Sequence, residues 1–291
     1  ASWTLYNGNK RLKTIQQEKL NNQMAELDVA TSENNIQESI AQVYIQILYA
    51  AESVKVNENT LQVSIAQRDR GQELLNAGSI AKSDLAQLEA QVSTDRYQLV
   101  TAQATLEDYK LQLKQLLELD GENEMNIYLP ALSDENVLAP LPTKKDVYIS
   151  ALSLRPEIEA SKLNVEASEL GIGIAKSSYL PTISLSAGIG TNHTSGSDFT
   201  FGEQVKNGWN NSIGLSVSVP IFNNRQTKSA VQKAKLQYET SMLSLLDEQK
   251  TLYKTIEGLW LDANSAQQRY AAANEKLKST QISYELISEQ F

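Results

Sequence analysis

Ser212-Ile213-Gly214-Leu215-Ser216-Val217-Ser218-Val219 alternates small polar and apolar residues, and Pro220-Ile221-Phe222-Asn223 closes the run. Period-two alternation puts Ile213, Leu215, Val217 and Val219 on one face of a strand, with Ser212, Gly214, Ser216 and Ser218 on the other. From Ile221 to Phe291 no further proline occurs, and Gly258 is the one glycine. In that stretch Ile256, Ala263, Tyr270, Leu277, Tyr284 and Phe291 recur every seven residues, the spacing of a coiled-coil seam. A short strand running straight into a very long helix is the unit from which this chain is built.

The same unit occurs at the other end. Ser2 to Tyr6 reads as a strand with Trp3 and Leu5 on one side, and Asn9 to Leu119 contains no proline and only Gly71 and Gly78. This region is rich in Ala, Leu, Gln, Glu and Lys, the strong helix formers. Leu85, Val92, Leu99, Leu106 and Leu113 form a seven-residue row that should be buried, and Leu88, Ala102, Tyr109 and Leu116 form a second. Asp95 interrupts the second row and reads as a solvated position. A helix from Asn9 to Leu75 would be about 100 Å long, wider than an ordinary globular core. A third strand, Pro181 to Gly190, carries Ile183, Leu185, Ala187 and Ile189 opposite Thr182, Ser184, Ser186, Gly188 and Gly190. Such strands fit a half-buried sheet or a membrane barrel with an apolar outside.

An offset of 216 residues, from Asn7 to Asn223, aligns the two halves without a gap. It pairs Ile15 with Val231, Lys19 with Lys235, Ile40 with Ile256, Tyr44 with Trp260, Glu73 with Glu289 and Leu75 with Phe291. Tyr44 and Trp260 read as packing residues on seam positions. Two copies of a strand-then-helix unit are present. Their unequal ends predict a longer protein, with a helix and strand before the first copy and a return helix after the second.

Three regions follow. Residues 1–119 hold the first copy, with the end of a strand, a long helix, a turn near 76–80 and a return helix. Residues 120–154 are an irregular segment with a short helix over Asp146 to Leu154. Residues 155–291 hold the second copy: a helix opening on Pro156, a β-hairpin over 181–219 with a long polar loop from Thr191 to Asn211, and a long helix. The fold class is mainly α.

Composition excludes much chemistry. With 26 basic and 35 acidic side chains the net charge is −9, which opposes nucleic-acid binding. Without cysteine and with one histidine, His193 in the polar loop, there is no thiol chemistry, no metal-ligand cluster and no histidine dyad. Adjacent carboxylates such as Glu107 and Asp108 point apart on a helix. No catalytic constellation, cofactor site or metal site is predicted, and no run of apolar residues is long enough for a transmembrane helix. Gly78 reads as a helix C-cap, with Ser79 or Ser83 capping the next helix and Asp84 in its first turn.

Three passages together resemble the TolC-type outer-membrane efflux channel family. Leu154 to Ser168 (L-R-P-E-I-E-A-S-K-L-N-V-E-A-S) followed by Ala175 to Gly188 (A-K-S-S-Y-L-P-T-I-S-L-S-A-G) looks like its helix-to-strand passage. Ile213 to Asn223 (I-G-L-S-V-S-V-P-I-F-N) is similar to its strand-to-helix passage, and Leu75 to Leu85 (L-N-A-G-S-I-A-K-S-D-L) to its helical tip. The resemblance covers essentially the whole chain. It implies a homotrimer when full length, with long coiled-coil helices in a periplasmic α-barrel and short strands in a shared membrane β-barrel. It also implies a passive duct in the outer membrane, with the helical part in the periplasm. The implied partners are a periplasmic adaptor (membrane fusion) protein, an inner-membrane transporter and outer-membrane lipid. On this reading Asn76, Ala77, Gly78, Ser79 and Ile80 form the adaptor-docking tip and Asp84 faces the lumen near a gate. Ile183, Leu185, Ile213, Leu215 and Val217 form the barrel's outer face. The alternative is a coiled-coil filament protein with small β modules.

Overall fold

The computed structural model describes residues 1–119, 127–128 and 137–289. In chain order its elements are β1 (Ser2–Asn7), α1 (Lys10–Asn76), α2 (Lys82–Leu116), α3 (Lys144–Leu154), α4 (Pro156–Ser177), β2 (Thr182–Gly190), α5 (Phe201–Asn207), β3 (Asn210–Ser218) and α6 (Gln226–Glu289). They form two compact units, Ala1–Thr31 with Glu135–Phe291, and Ser32–Asp134.

In the first unit the three strands make one antiparallel sheet of order β1-β2-β3. Helix α4 leads into it. Pro156 opens α4, where its missing N–H is no loss, and Arg155 before it is extended, as a residue preceding proline prefers. One flank of α4 packs on α6, burying Ile158, Ala167, Val231 and Ile256. Polar pairs run through that seam at seven-residue spacing: Ser168 and Ser241 hydroxyls lie 2.8 Å apart, and Ser161 donates to Glu248. The start of α1 also bonds to α4, with Gln17 Nε2 2.9 Å from the Ala167 carbonyl and Lys13 Nζ 3.3 Å from that of Gly173.

The segment before α4 is strapped to α6. Trp260 Nε1 donates to the Pro142 carbonyl at 3.0 Å, and Gln267 Nε2 donates to the carbonyls of Val137 and Ala139. Lys144 sits 4.9 Å from the Trp260 ring and 3.0 Å from Glu257. In the second unit Tyr44, the repeat counterpart of Trp260, donates to the Tyr128 carbonyl at 2.8 Å. These two aromatics therefore do more than pack: each holds irregular backbone by its polar edge. The rest of the segment expected to be irregular, residues 120–126 and 129–136, lies outside the described residues, and α3 starts at Lys144 rather than Asp146.

The second unit pairs the later part of α1 with α2. Ile47, Ala50 and Leu61 of α1 are buried, as are Leu85, Val92 and Leu113 of α2, and Leu99 and Leu106 are half-buried. Asp95 departs from its reading as solvated. It is 3% exposed, accepts from Ser64 of α1, and accepts from Gln91 Nε2 at 2.8 Å. Both carboxylate oxygens are satisfied, which is what makes the burial tolerable. The seam on α6 also falls short of its expected length. Ile256 is buried and Ala263 and Tyr270 half-buried, but Leu277 and Tyr284 are exposed because no described element covers them; Phe291 lies outside the described residues.

Candidate membrane face and helical turn

The register of the sheet sorts its side chains onto two faces. Trp3 pairs with Leu185 and Leu185 with Leu215; Tyr6 pairs with Ile183 and Ile183 with Val217; Ala187 pairs with Ile213. Directly opposed residues share a face, so these form one apolar surface. It is open to solvent: Trp3 is 73%, Ile213 83% and Leu215 66% exposed. The other face carries Ser2, Thr4 and Asn7 of β1, Thr182, Ser184, Ser186, Gly188 and Gly190 of β2, and Asn210, Ser212, Gly214, Ser216 and Ser218 of β3. None is charged and none is larger than asparagine. The structure thus brings Ile183, Leu185, Ile213, Leu215 and Val217 together on a single face.

Two residues join that face unannounced by the alternation. A bulge between Thr4 and Tyr6 adds a residue to β1 and turns Tyr6 to the side of Ile183. Trp209 precedes β3 in the same odd-numbered row as Ile213 and is exposed. Strands of nine residues, as β2 and β3 are, extend about 30 Å and when tilted match an apolar band about 25 Å tall. No helix among the described residues is long and apolar enough to cross a membrane.

The far end of the hairpin is more ordered than a plain polar loop. Thr200 and Glu203 cap α5 reciprocally, the Glu203 carboxylate accepting from the Thr200 N–H at 2.9 Å and hydroxyl at 2.7 Å. Those bonds, the hydroxyl first, hold the Glu203 carboxyl below its ordinary range. Gln204 gathers the loop, accepting from the Thr194 N–H and donating to the Phe199 carbonyl, both at 2.8 Å. His193 is exposed there, 3.1 Å from Gln204 Oε1 and edge-on to Phe201. The T-x-x-E spacing of Thr200 and Glu203 is a helix-start signature that would have revealed α5.

The helical turn has its own geometry. Gly78 has a φ of +75°, and Ser79 N–H reaches back to the Leu74 carbonyl at 2.8 Å while Gly78 N–H reaches that of Leu75 at 2.9 Å. A left-handed residue bracketed by these two bonds is the Schellman stop, for which glycine is suited. Asn76, Ala77, Gly78 and Ser79 are exposed, and Ile80 is half-buried and folds toward Gly71. Neither Ser79 nor Ser83 caps α2. Ala81 stands at the cap, and Asp84 Oδ2 accepts from its N–H at 3.0 Å, so this first-turn acid complements the helix dipole through a direct bond. Asp84 is exposed, and among the described residues no group of acidic or histidine side chains could hold a metal ion.

An apolar sheet face opposite a small polar one, joined to long seamed helices, defines the class, and sequence comparison names it. Residues 147–291 match the outer membrane efflux protein family. The chain's location is the outer membrane, with the helical part in the periplasm.

Among individual proteins it is 24% identical to outer membrane efflux protein BepC of Brucella suis biovar 1 (strain 1330), over 89% of this chain and 54% of that protein. It is also 24% identical to outer membrane protein TolC of Escherichia coli (strain K12), over 85% of this chain and 50% of that one. In fold it is similar to the CmeC outer membrane channel of Campylobacter jejuni, with a TM-score of 0.70 at 20% identity over 96% of this chain and 60% of that one. The chain spans about half the length of the curated relatives it matches.

Proposed function

We propose that this chain contributes to a passive export duct in the outer membrane, as a homotrimer when full length, working with a periplasmic adaptor and an inner-membrane transporter. The observation that carries this is the two-faced sheet: its exposed apolar side suits lipid, and its small, uncharged side suits a water-filled lumen. A filament subunit would have no use for such a face. In this reading Asn76 to Ile80 dock the adaptor, and Asp84 adds carboxylates around the lumen, one oxygen of each being held by Ala81.

Two adjacent substitutions test the reading. Leu215→Arg places a cation on the lipid side, at a cost of about 2–4 kcal/mol near mid-membrane, and should abolish outer-membrane assembly. Ser216→Arg, one residue on, should assemble normally and shift the channel's ion selectivity toward anions. Equal behaviour of the two variants in membrane fractionation would refute the assignment of faces.

A further inference from the structure

The helix end of the sheet is ringed by cations. No Asp or Glu occurs from Ala1 to Gln17, from Leu170 to Ser197 or from Gln204 to Tyr238, although the whole chain is acidic. Those stretches hold all three strands and the helix ends next to them. Within them stand Lys10, Arg11, Lys176, Arg225 and Lys228, all exposed, and among the described residues none of the five forms an ion pair. Topology gathers them at one end. Asn7 pairs with Thr182 and Thr182 with Ser218, so the chain leaves or enters all three strands there. The Lys13 bond to Gly173 sets the start of α1 beside the end of α4.

A second observation is the placement of charge against the helix dipole. Helices α2, α3, α4 and α5 each have an acid in the first turn: Asp84, Asp146, Glu157 with Glu159, and Glu203. Helices α1 and α6 have none. Lys10 and Arg11 begin α1, and Arg225 and Lys228 flank the start of α6, where the dipole's positive end disfavours cations. Such placement is relieved by anions supplied from outside. A third is the border itself: the apolar surface runs out at this end through Tyr6, Ile221 and Phe222, and Ile221 is 95% exposed.

We propose that this collar binds the anionic phosphate headgroups of the phospholipid leaflet on the helical side of the membrane. The proposal rests on the sheet's apolar side being the lipid face, and extends it by assigning the charge at its lower edge. Cations near an anionic bilayer surface each raise partitioning about fivefold, an effect that salt screens.

The test is flotation of the chain with vesicles of phosphatidylcholine alone and of an equal mixture of phosphatidylcholine and phosphatidylglycerol. The unaltered chain should float with both and favour the anionic vesicles by at least tenfold, a preference lost at about 1 M salt, where screening acts within about 3 Å. A variant with all five cations changed to Gln should float with both vesicles equally while keeping its helical circular dichroism. Should that variant misfold, the salt series on the unaltered chain decides. Equal flotation of the unaltered chain with both vesicles overturns the collar, and so does a preference that survives high salt. Inorganic phosphate that abolishes the preference better than chloride at equal ionic strength would make this a free-phosphate site and also overturn it. Failure to float with either vesicle, or flotation unaffected by Leu215→Asp with Val217→Asp, would instead strike at the lipid face.

Discussion

The two strand-to-helix junctions make the same turn with different residues. At the first, Asn7 is followed by Gly8 and Asn9 with φ of +66° and +63°; at the second, Asn223 is followed by Asn224 and Arg225 with φ of +50° and +62°. Both therefore use two successive left-handed residues, at repeat-equivalent positions, to swing the chain into a helix. They differ in what surrounds the turn. Gly8 is buried, and a Cβ there would lie 2.7 Å from the Ser177 carbonyl oxygen and 2.8 Å from Leu180 Cβ, whereas Asn224 is exposed. The left-handed conformation alone can be met by asparagine, at some strain. What demands glycine at the first junction is the end of α4 pressed against it.

That contrast orders the expected effects. Gly8→Val should suffer both the conformation and the clash, about 2–5 kcal/mol in total, against about 1–2 kcal/mol for Asn224→Val. Urea unfolding followed by far-ultraviolet circular dichroism would compare them, and equal losses would dissolve the distinction.

A smaller difference separates the two long helices further on. Ser64 is buried against Asp95, while its repeat counterpart Thr280 is exposed. Ser64→Ala should therefore cost about 1.5–3 kcal/mol by stripping a buried carboxylate of a donor, and Thr280→Ala under about 0.5 kcal/mol. Thermal melts of the two variants are sufficient; a sensitive Thr280 would mean that something covers α6 there.

Smaller again is the capping contact. Asn7 Oδ1 accepts from the Arg11 N–H at 3.2 Å, whereas the Asn223 side-chain amide donates to the Thr227 hydroxyl. Asn7→Ala should cost about 1 kcal/mol and Asn223→Ala roughly half that, visible as faster amide exchange in the first turn of α1 only. Least of all, Arg225→Gly should stabilise the second junction by about 0.5 kcal/mol, relief of the left-handed strain being partly offset by a freer unfolded chain. A loss of stability would show that the Arg225 side chain is held by something in the fold.

The fold was largely readable because its periods are long and clean. Alternation in Ile183 to Ile189 and Ile213 to Val217 announced the strands, and the seven-residue row from Leu85 to Leu113 announced the seam. Readings failed where neighbours rather than sequence set the outcome. Asp95 looks solvated by residue type, and only the helix facing it supplies Ser64. The bulge that turns Tyr6 outward leaves no Gly or Pro as a marker. Helix α5 spans seven residues, too short for periodicity, although its Thr200–Glu203 spacing was visible. A serine is the expected cap of α2, but Ala81, which offers no side-chain acceptor, stands there and Asp84 supplies the bond from inside the helix. On the apolar face of the sheet, Ile183, Leu185, Ile213, Leu215 and Val217 follow from alternation, while Tyr6 and Trp209 needed the register.

The sheet order leaves β1 and β3 at its edges, and the two are not equally guarded. Neither strand has a charge or a proline, the usual deterrents to unwanted pairing, and only β1 has a bulge. Among the described residues no strand pairs with the outer side of β3, which leaves its amide and carbonyl groups open. Time and concentration then become part of the folding problem. An open row can zip to whichever strand arrives first, so yield on refolding should fall as the chains are crowded together and recover on dilution.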